Sequence, residues 1–205
     1  MPPILVPTAG IESWKARLAD PDKHWKREAS AFEAAVSWEL ASRTDRGLPG
    51  AVAKILDQEE ELREAQVLFA LPEHKVPLPG GSRASQTDVW ALLRGPRGLI
   101  SMAVEAKAEE LFGDTLESWK SESPGKEKRL EYLHKVLKCQ TDLPPATRYQ
   151  LVHRTASALI EAQRTSAAYA VMMVQSFESS HGANPISSLS ETVSTSPYLQ
   201  ALSPG

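Results

Sequence analysis

Three residues, Asp88, Glu105 and Lys107, carry the chemistry that the sequence offers most directly. They bracket two apolar runs, 89–94 and 99–106, separated by Gly-Pro-Arg-Gly at 95–98. Val89, Ala91 and Leu93 alternate along the first run, and Ile100, Met102, Val104 and Ala106 alternate along the second. That period of two is the signature of a β-hairpin with one face in a core. A register that places Gly95 against Gly98 sets Val89 opposite Val104, Ala91 opposite Met102, Leu93 opposite Ile100, and Asp88 opposite Glu105. Carboxylates opposed in this way have Cβ atoms roughly 4.5–5.5 Å apart and repel each other. A cation is therefore expected between them. Lys107, two residues beyond Glu105 on the same face, offers an ammonium for part of the charge, and a divalent metal ion held by carboxylate oxygens would balance the rest. Proline at 96 cannot take the positive φ of a primed two-residue turn, so a four-residue loop in the same register is expected.

The elements that must position these residues follow from periodicity and breakers. A short helix around Trp14 stops at Pro21, and a longer one starts at Ser30 with Phe32, Ala35, Val36 and Leu40 at helical spacing. Gly47-Leu-Pro-Gly50 breaks it. A further helix is expected from Ala51 to Gln66, with Val52, Ile55, Leu56 and Leu62 on one side and Glu59 to Glu61 as a solvated face. The run from Val67 towards Val76 reads as a strand, and Pro77-Leu-Pro-Gly-Gly81 delivers the chain to the hairpin. Beyond Lys107, residues 108–123 suggest a loop or short helix beside the site. One helix is expected from Gly125 through Cys139 and a second from Pro144-Pro145 to about Arg164. The almost unbroken apolar run from Tyr169 to Phe177 is the pattern of a strand buried on both faces, as in a parallel sheet reached by a helical crossover.

Asp88 at the start of one strand, followed by Glu105-Ala106-Lys107 at the end of the next, resembles the PD-(D/E)xK signature of restriction-endonuclease-like nucleases. The signature's proline is absent, because Asp88 follows Ser85-Gln86-Thr87; that position varies within the superfamily. The order helix, strand, strand, strand, helix, strand is similar to the superfamily's core and covers roughly Ser30 to Phe177. The resemblance implies an α/β fold with a restriction-endonuclease-like core (α-β-β-β-α-β, a mixed sheet flanked by helices) and extra N-terminal helices. It implies a magnesium-dependent nuclease, with manganese as a substitute metal, acting in defence or DNA repair. Asp88 and Glu105 would ligate the metal together with the carbonyl of Ala106, the superfamily's usual third ligand. Hard oxygen donors suit magnesium. Lys107 would orient or deprotonate the attacking water or stabilise the transition state. Glu39 stands where some superfamily members carry a further acidic ligand. Gln150 and Arg154 lie on the late helix, which in related nucleases places polar residues near the metal. Gln86, two residues before Asp88, is a candidate to bond substrate or hold the loop.

Composition narrows the remaining classes. At 205 residues, 41% hydrophobic and 24% charged, the chain suits one soluble domain with a sizeable core. We place that domain at residues 1–177 and read 178–205, rich in Ser, Pro and Gly, as a flexible tail. The net charge of −3 provides no overall basic field, so nucleic acid, with DNA the expected polymer, would need a local patch. Arg83, Arg94, Arg97, Lys120, Lys126, Lys128 and Arg129 are the candidates, interrupted by glutamates. The single cysteine, Cys139, excludes an internal disulfide and a thiolate zinc cluster, as in a reducing interior. No apolar run is long enough for a membrane span and the first residues lack the charged start of a signal peptide, so a cytoplasmic protein without a membrane partner is expected. Nucleases of this type often dimerise to cut two strands, which makes a homodimer compatible, although no stretch reads as a dimer interface. There is no Gly-rich phosphate loop, zinc-ligand spacing or Gly-x-Ser-x-Gly elbow. The competing reading is a non-catalytic interaction protein that keeps the fold and uses residues 11–66 for a protein partner. A third is an enzyme acting on a small phosphorylated compound.

Overall fold

The computed structural model of the chain describes residues 10–108, 110–120, 122–179, 189–195 and 200–201. Its elements run α1 (Glu12–Lys15), α2 (Pro21–His24), α3 (Ser30–Ala41), α4 (Gly50–Leu56), β1 (Gln66–Val76), β2 (Ser85–Gly95), β3 (Gly98–Lys107), α5 (Leu116–Trp119), α6 (Pro124–Leu137), α7 (Tyr149–Thr165), β4 (Tyr169–Ser179), β5 (Leu189–Thr195) and β6 (Gln200–Ala201). The strands form one mixed sheet in the order β1-β2-β3-β4-β5, with β6 also pairing with β4.

The hairpin pairs in the register that its alternation predicts: Val89 with Val104, Ala91 with Met102, Leu93 with Ile100, and Gly95 with Gly98. The turn itself is the tight one, Pro96-Arg97, rather than a four-residue loop. Its positive φ falls on Gly98, at +141°, so the proline is not asked to adopt one. β4 runs parallel to β3, from Ile100 against Tyr169 to Lys107 against Ser176. The connection between them contains α7, as the unbroken apolar run implied.

Both faces of the sheet are covered, whereas the alternation pointed to one. Val89, Ala91, Leu93, Ile100, Met102 and Val104 pack with Trp14, Trp38, Val52, Leu56 and Leu62. Trp90, Leu92 and Ala103 pack with Ala158, Leu159 and Ala162 of α7 on the other side. The polar atoms buried there are satisfied locally: the Trp90 indole donates to Ser101 Oγ at 3.0 Å, and that hydroxyl donates to the Ala158 carbonyl at 2.8 Å.

Several element ends differ from the sequence reading, each for a tertiary reason. α4 stops at Leu56 instead of reaching Gln66. Asp57 accepts two bonds from the Arg46 guanidinium, at 2.8 and 3.0 Å, and one from the Glu64 amide at 2.9 Å, and these fold the next residues into turns. α7 begins at Tyr149, not at the proline pair, because residues before it are tied to the 114–116 segment: Leu116 N–H donates to Thr147 O and Tyr149 N–H to Asp114 O. Leu40, expected on the buried side of α3, is exposed; Ala34, Ala35, Trp38 and Ala41 form that side instead. The flexible-tail expectation for 178–205 falls in large part on 180–188, 196–199 and 202–205, which lie outside the described residues; within that span β5 and β6 pair antiparallel with β4.

The loop that feeds β2 is held by one buried side chain. Arg129 of α6 donates to the carbonyls of Pro79 (2.9 Å), Arg83 (2.8 Å), Leu78 (3.3 Å) and Gly81 (3.4 Å). Gly80, at φ +83°, passes so close to α6 that an added Cβ would lie 1.9 Å from the Gly125 carbonyl oxygen. Residues 78–83 are therefore clamped to α6 immediately before Ser85 enters the sheet.

Candidate functional site

The sheet ends in a row of acids. Pro72 pairs with Val89 and His74 with Thr87, so Glu73 lies beside Asp88; Val89 pairs with Val104, so Asp88 lies beside Glu105. The three carboxylates thus stand on neighbouring strands β1, β2 and β3, and Glu105 is the one that α7 reaches, through Gln150 and Arg154. The ladder opens at this row: neither Glu73 with Asp88 nor Asp88 with Glu105 forms a regular pair. Glu73 has φ +54°, a left-handed value in the middle of a strand. For a non-glycine residue that costs of the order of 1–3 kcal/mol and is characteristic of functional positions.

Each acid has a distinct set of partners. Asp88 Oδ2 accepts the Ala106 amide at 2.6 Å, replacing the backbone partner that β2 no longer supplies. Glu105, 3% exposed, accepts Lys107 Nζ on Oε1 at 3.0 Å and Arg154 Nε on Oε2 at 2.6 Å. The Gln150 side-chain amide also donates to Oε1. Glu73 Oε2 accepts Gln86 Nε2 at 2.6 Å. Lys107 is further placed over the Phe112 ring, 5.2 Å from its centroid. Arg154 is braced from behind, donating to Ser85 Oγ at 3.2 Å, while that hydroxyl bonds His153 Nδ1 at 2.8 Å. Arg154 and Gln150 reach Glu105 together because they are four residues apart on α7.

The electrostatics follow from this crowding. Burial, then the charges of Glu105 and Glu73, push the Asp88 carboxyl well above the usual carboxylate range, against the Ala106 amide and Arg154. Burial first, with Glu105 adding to it, pushes Glu73 up to about 7, against its Gln86 bond and the Arg154 and Lys75 charges. Lys107 and Arg154 both bond Glu105, whereas among the described residues no cation is bonded to Asp88 or Glu73, whose partners are the Ala106 amide and Gln86. The row is short of cations at those two acids.

That shortage, and the donor set, fit a hard divalent cation. Among the described residues no three His, Cys, Asp or Glu side chains are close enough to hold a metal by themselves. Two carboxylates and a backbone oxygen are the alternative. The Ala106 N–H leaves its strand towards Asp88, and in an extended strand a residue's carbonyl leaves on the same side as its N–H. Gln150 Oε1 is buried with no hydrogen-bond partner among the described residues, an oxygen lone pair left for a ligand.

Of the residues singled out from sequence, Asp88, Glu105, Ala106, Lys107, Gln150 and Arg154 meet here, and Gln86 adjoins them through Glu73. Glu39 does not: its Oε1 accepts the Trp14 indole at 2.7 Å, joining α3 to α1. Three of the seven basic candidates are also taken up elsewhere. Arg94 and Arg97 lie at the turn end of the hairpin, bonded to Gln66 and to Glu60 and Glu61, and Arg129 is buried in the 78–83 loop. Sequence reasoning did not single out Glu73, Ser85, His153 or Phe112, which join the site through the β1–β2 register, the Arg154–Ser85–His153 chain and the Lys107 contact. Only the β1–β2 register distinguishes Glu73.

His153 provides a test of this packing by pH. Burial, followed by the Arg154 and Arg129 charges, holds its imidazole down at about 3. A depressed value means that its contribution to stability is present above about 6.5, the ordinary imidazole value, and is lost as pH falls towards 3. Glu73 has the opposite sign: its contribution is full below the ordinary carboxylate value and is lost as pH rises through about 7. His153→Gln keeps an acceptor for Ser85 and removes the first slope. Urea unfolding at pH 7 and pH 5 is expected to show the variant losing about 1–2 kcal/mol less than wild type over that interval; equal losses would contradict a neutral His153.

Fold and site together define a mixed α/β protein with a carboxylate row, crossed by a lysine and an arginine, at one end of its sheet. The chain belongs to the family described as domain of unknown function DUF6946, whose model matches residues 7–196. No curated protein and no solved structure matches it. Among the described residues no helix is long and apolar enough to cross a membrane.

Proposed function

We propose that the protein is a metal-dependent phosphodiesterase of the restriction-endonuclease-like type that hydrolyses nucleic acid, with DNA as the polymer. The observation that carries this reading is the meeting of Asp88, Glu105, the Ala106 backbone and Lys107 where the strand ladder opens. The three-stranded antiparallel unit β1-β2-β3, followed by a helix and the parallel strand β4, supports it as the implied core.

The carboxylates of Asp88 and Glu105 and the carbonyl of Ala106 would hold magnesium, or manganese in its place. When bound, the ion supplies Lewis acidity and a water made nucleophilic near neutral pH. Lys107, fixed between Glu105 and the Phe112 ring, places a positive charge where a phosphate group would gather negative charge. Arg154 and Gln150 fix the orientation of Glu105, and Ser85 with His153 fixes Arg154. Glu73, beside Asp88 and bonded to Gln86, completes the acidic row. Cutting both strands of a duplex would call for a homodimer.

One observation favours a second reading, a non-catalytic interaction protein that binds a partner through residues 11–66: both oxygens of Glu105 are already engaged by protein groups. Calorimetric titration of magnesium or manganese separates the two. Wild type is expected to bind, with Asp88→Ala and Glu105→Ala failing to bind, and wild type but not Lys107→Ala is expected to cleave a mixture of DNA and RNA. Absence of metal binding even with nucleic acid present would leave the interaction protein.

A further inference from the structure

A cavity of about 340 Å³ lies between α3, the 48–50 turn and the end of β4. Glu33, Val36, Ser37, Leu40 and Ala41 form one wall as a single stripe of α3, since residues three and four apart share a helix face. Leu48 and Phe177 form the wall opposite. The cavity accounts for Leu40, which is 58% exposed at its lip. It stands apart from the carboxylate row. Glu105 is reached by α7, whereas Ala106, the next residue, packs with Ala34 and Phe177 on this side.

Glu33 is the unexpected member of the wall. It is 5% exposed, and a carboxylate so enclosed is normally paired with a cation or fully hydrogen-bonded. It joins none of the ion pairs among the described residues. Its Oε1 accepts the Glu28 amide at 2.9 Å, in the first turn of α3, where the helix dipole favours negative charge. Among the described residues nothing donates to its Oε2. The neighbouring hydroxyls are already engaged: Ser37 Oγ accepts Gln175 Nε2 at 3.1 Å, and Thr44 Oγ1 donates to the Ala41 carbonyl at 2.8 Å. Capping the helix uses one oxygen of Glu33, and glutamine would serve that purpose equally. The other oxygen belongs to a cavity whose remaining walls are largely aliphatic and aromatic.

We infer that this cavity binds a small aliphatic amine, its ammonium on Glu33 and its chain along Val36, Leu40, Leu48 and Phe177. The buried acid selects a cation, and the walls select an apolar body behind the charge. The volume, at the small end of ligand cavities, selects a compact molecule. The inference does not depend on the nuclease reading.

The test follows backbone amide shifts of the isotope-labelled full chain during titration with n-hexylamine, hexanol and hexanoate at pH 7, where the amine is charged. Hexylamine is expected to bind at least about tenfold tighter than the alcohol or the acid, with shifts concentrated at residues 33–50 and 177. Glu33→Gln keeps an acceptor for the Glu28 amide, so its urea midpoint should match wild type while hexylamine binding weakens about tenfold. Glu59→Gln, the same charge change on an exposed side chain elsewhere, should bind as wild type does. Leu40→Ser should weaken the amine about threefold. Hexylamine that binds no better than hexanol, or equally well to Glu33→Gln, overturns the inference and leaves Glu33 a helix cap only. Tighter binding of Nα-acetyl-lysine methylamide than of hexylamine also overturns it, by assigning the cavity to a lysine of a protein partner.

Discussion

Asp88→Asn is expected to make the folded chain more stable and to remove its catalysis. In the folded state the Asp88 carboxyl is enclosed between two other acids, and burial together with Glu105 and Glu73 raises its proton affinity well above the ordinary carboxylate range. A raised value means that its contribution to stability is full below the ordinary range and is lost as pH rises through the folded value. Asparagine keeps an oxygen for the Ala106 amide, which Asp88 accepts at 2.6 Å, and carries no charge to lose. The variant should therefore be more stable than wild type at pH 8, by on the order of 1 kcal/mol, a gain that shrinks towards zero as pH approaches 4. The same change removes an anionic metal ligand, so cleavage should fall at least about 100-fold. Urea unfolding across the pH range and a cleavage assay on the same preparations give both answers. Opposite signs for stability and activity mark a group kept for chemistry. A variant that is less stable at pH 8, or that cleaves as wild type does, would remove Asp88 from the proposed role.

Arg129→Ala should be strongly destabilising although it lies outside both the carboxylate row and the apolar core. Arg129 is 8% exposed and donates to four carbonyls of residues 78–83, and among the described residues no carboxylate bonds it. Removing it takes the donor from the carbonyls of buried Leu78 and half-buried Pro79 beside a new cavity, while those of exposed Gly81 and Arg83 can turn to water, and each buried unsatisfied polar group costs about 1–3 kcal/mol. A total loss of about 3–5 kcal/mol is expected, close to the whole stability of many domains. Arg129→Lys keeps the charge but loses the planar fork, and should recover less than half of that loss. The urea midpoint measures both. The effect reaches the site by a defined route: residues 78–83 lead directly to Ser85, whose hydroxyl accepts from Arg154, the guanidinium that grips Glu105. A loss under about 1 kcal/mol would show that the loop is held by other contacts, chiefly the close approach of Gly80 to Gly125.

The two substitutions mark how differently the parts of this molecule are written in its sequence. The hairpin, its register and the opposition of Asp88 to Glu105 are local. They follow from strict alternation on two short runs and a glycine-flanked turn, because a slip of one residue would turn every core side chain outward. The parallel strand from Tyr169 was equally legible, since an apolar run without alternation suits a strand covered on both faces. Those features settle the mixed sheet, and with it which end of the hairpin carries the acids.

What only the tertiary structure decided concerns side chains whose partners are distant in sequence. Glu73 joins the row because β1 pairs with β2 in one register, and nothing in Glu73-His74-Lys75 itself distinguishes it. Glu39 is drawn to Trp14, 25 residues earlier, instead of to the site. Of the basic residues read as one patch, Arg94 lies about 20 Å along β2 from Asp88 and Arg129 turns inward to carbonyls. Arg154, 49 residues from Glu105, fills with a guanidinium part of the charge gap that the hairpin alone had left open. Periodicity reports which face a side chain leaves from, so sequence sufficed for the strands and the acid pair. Charge compensation depends on what arrives at that face from the rest of the chain, and that is fixed only when α7 docks on the sheet.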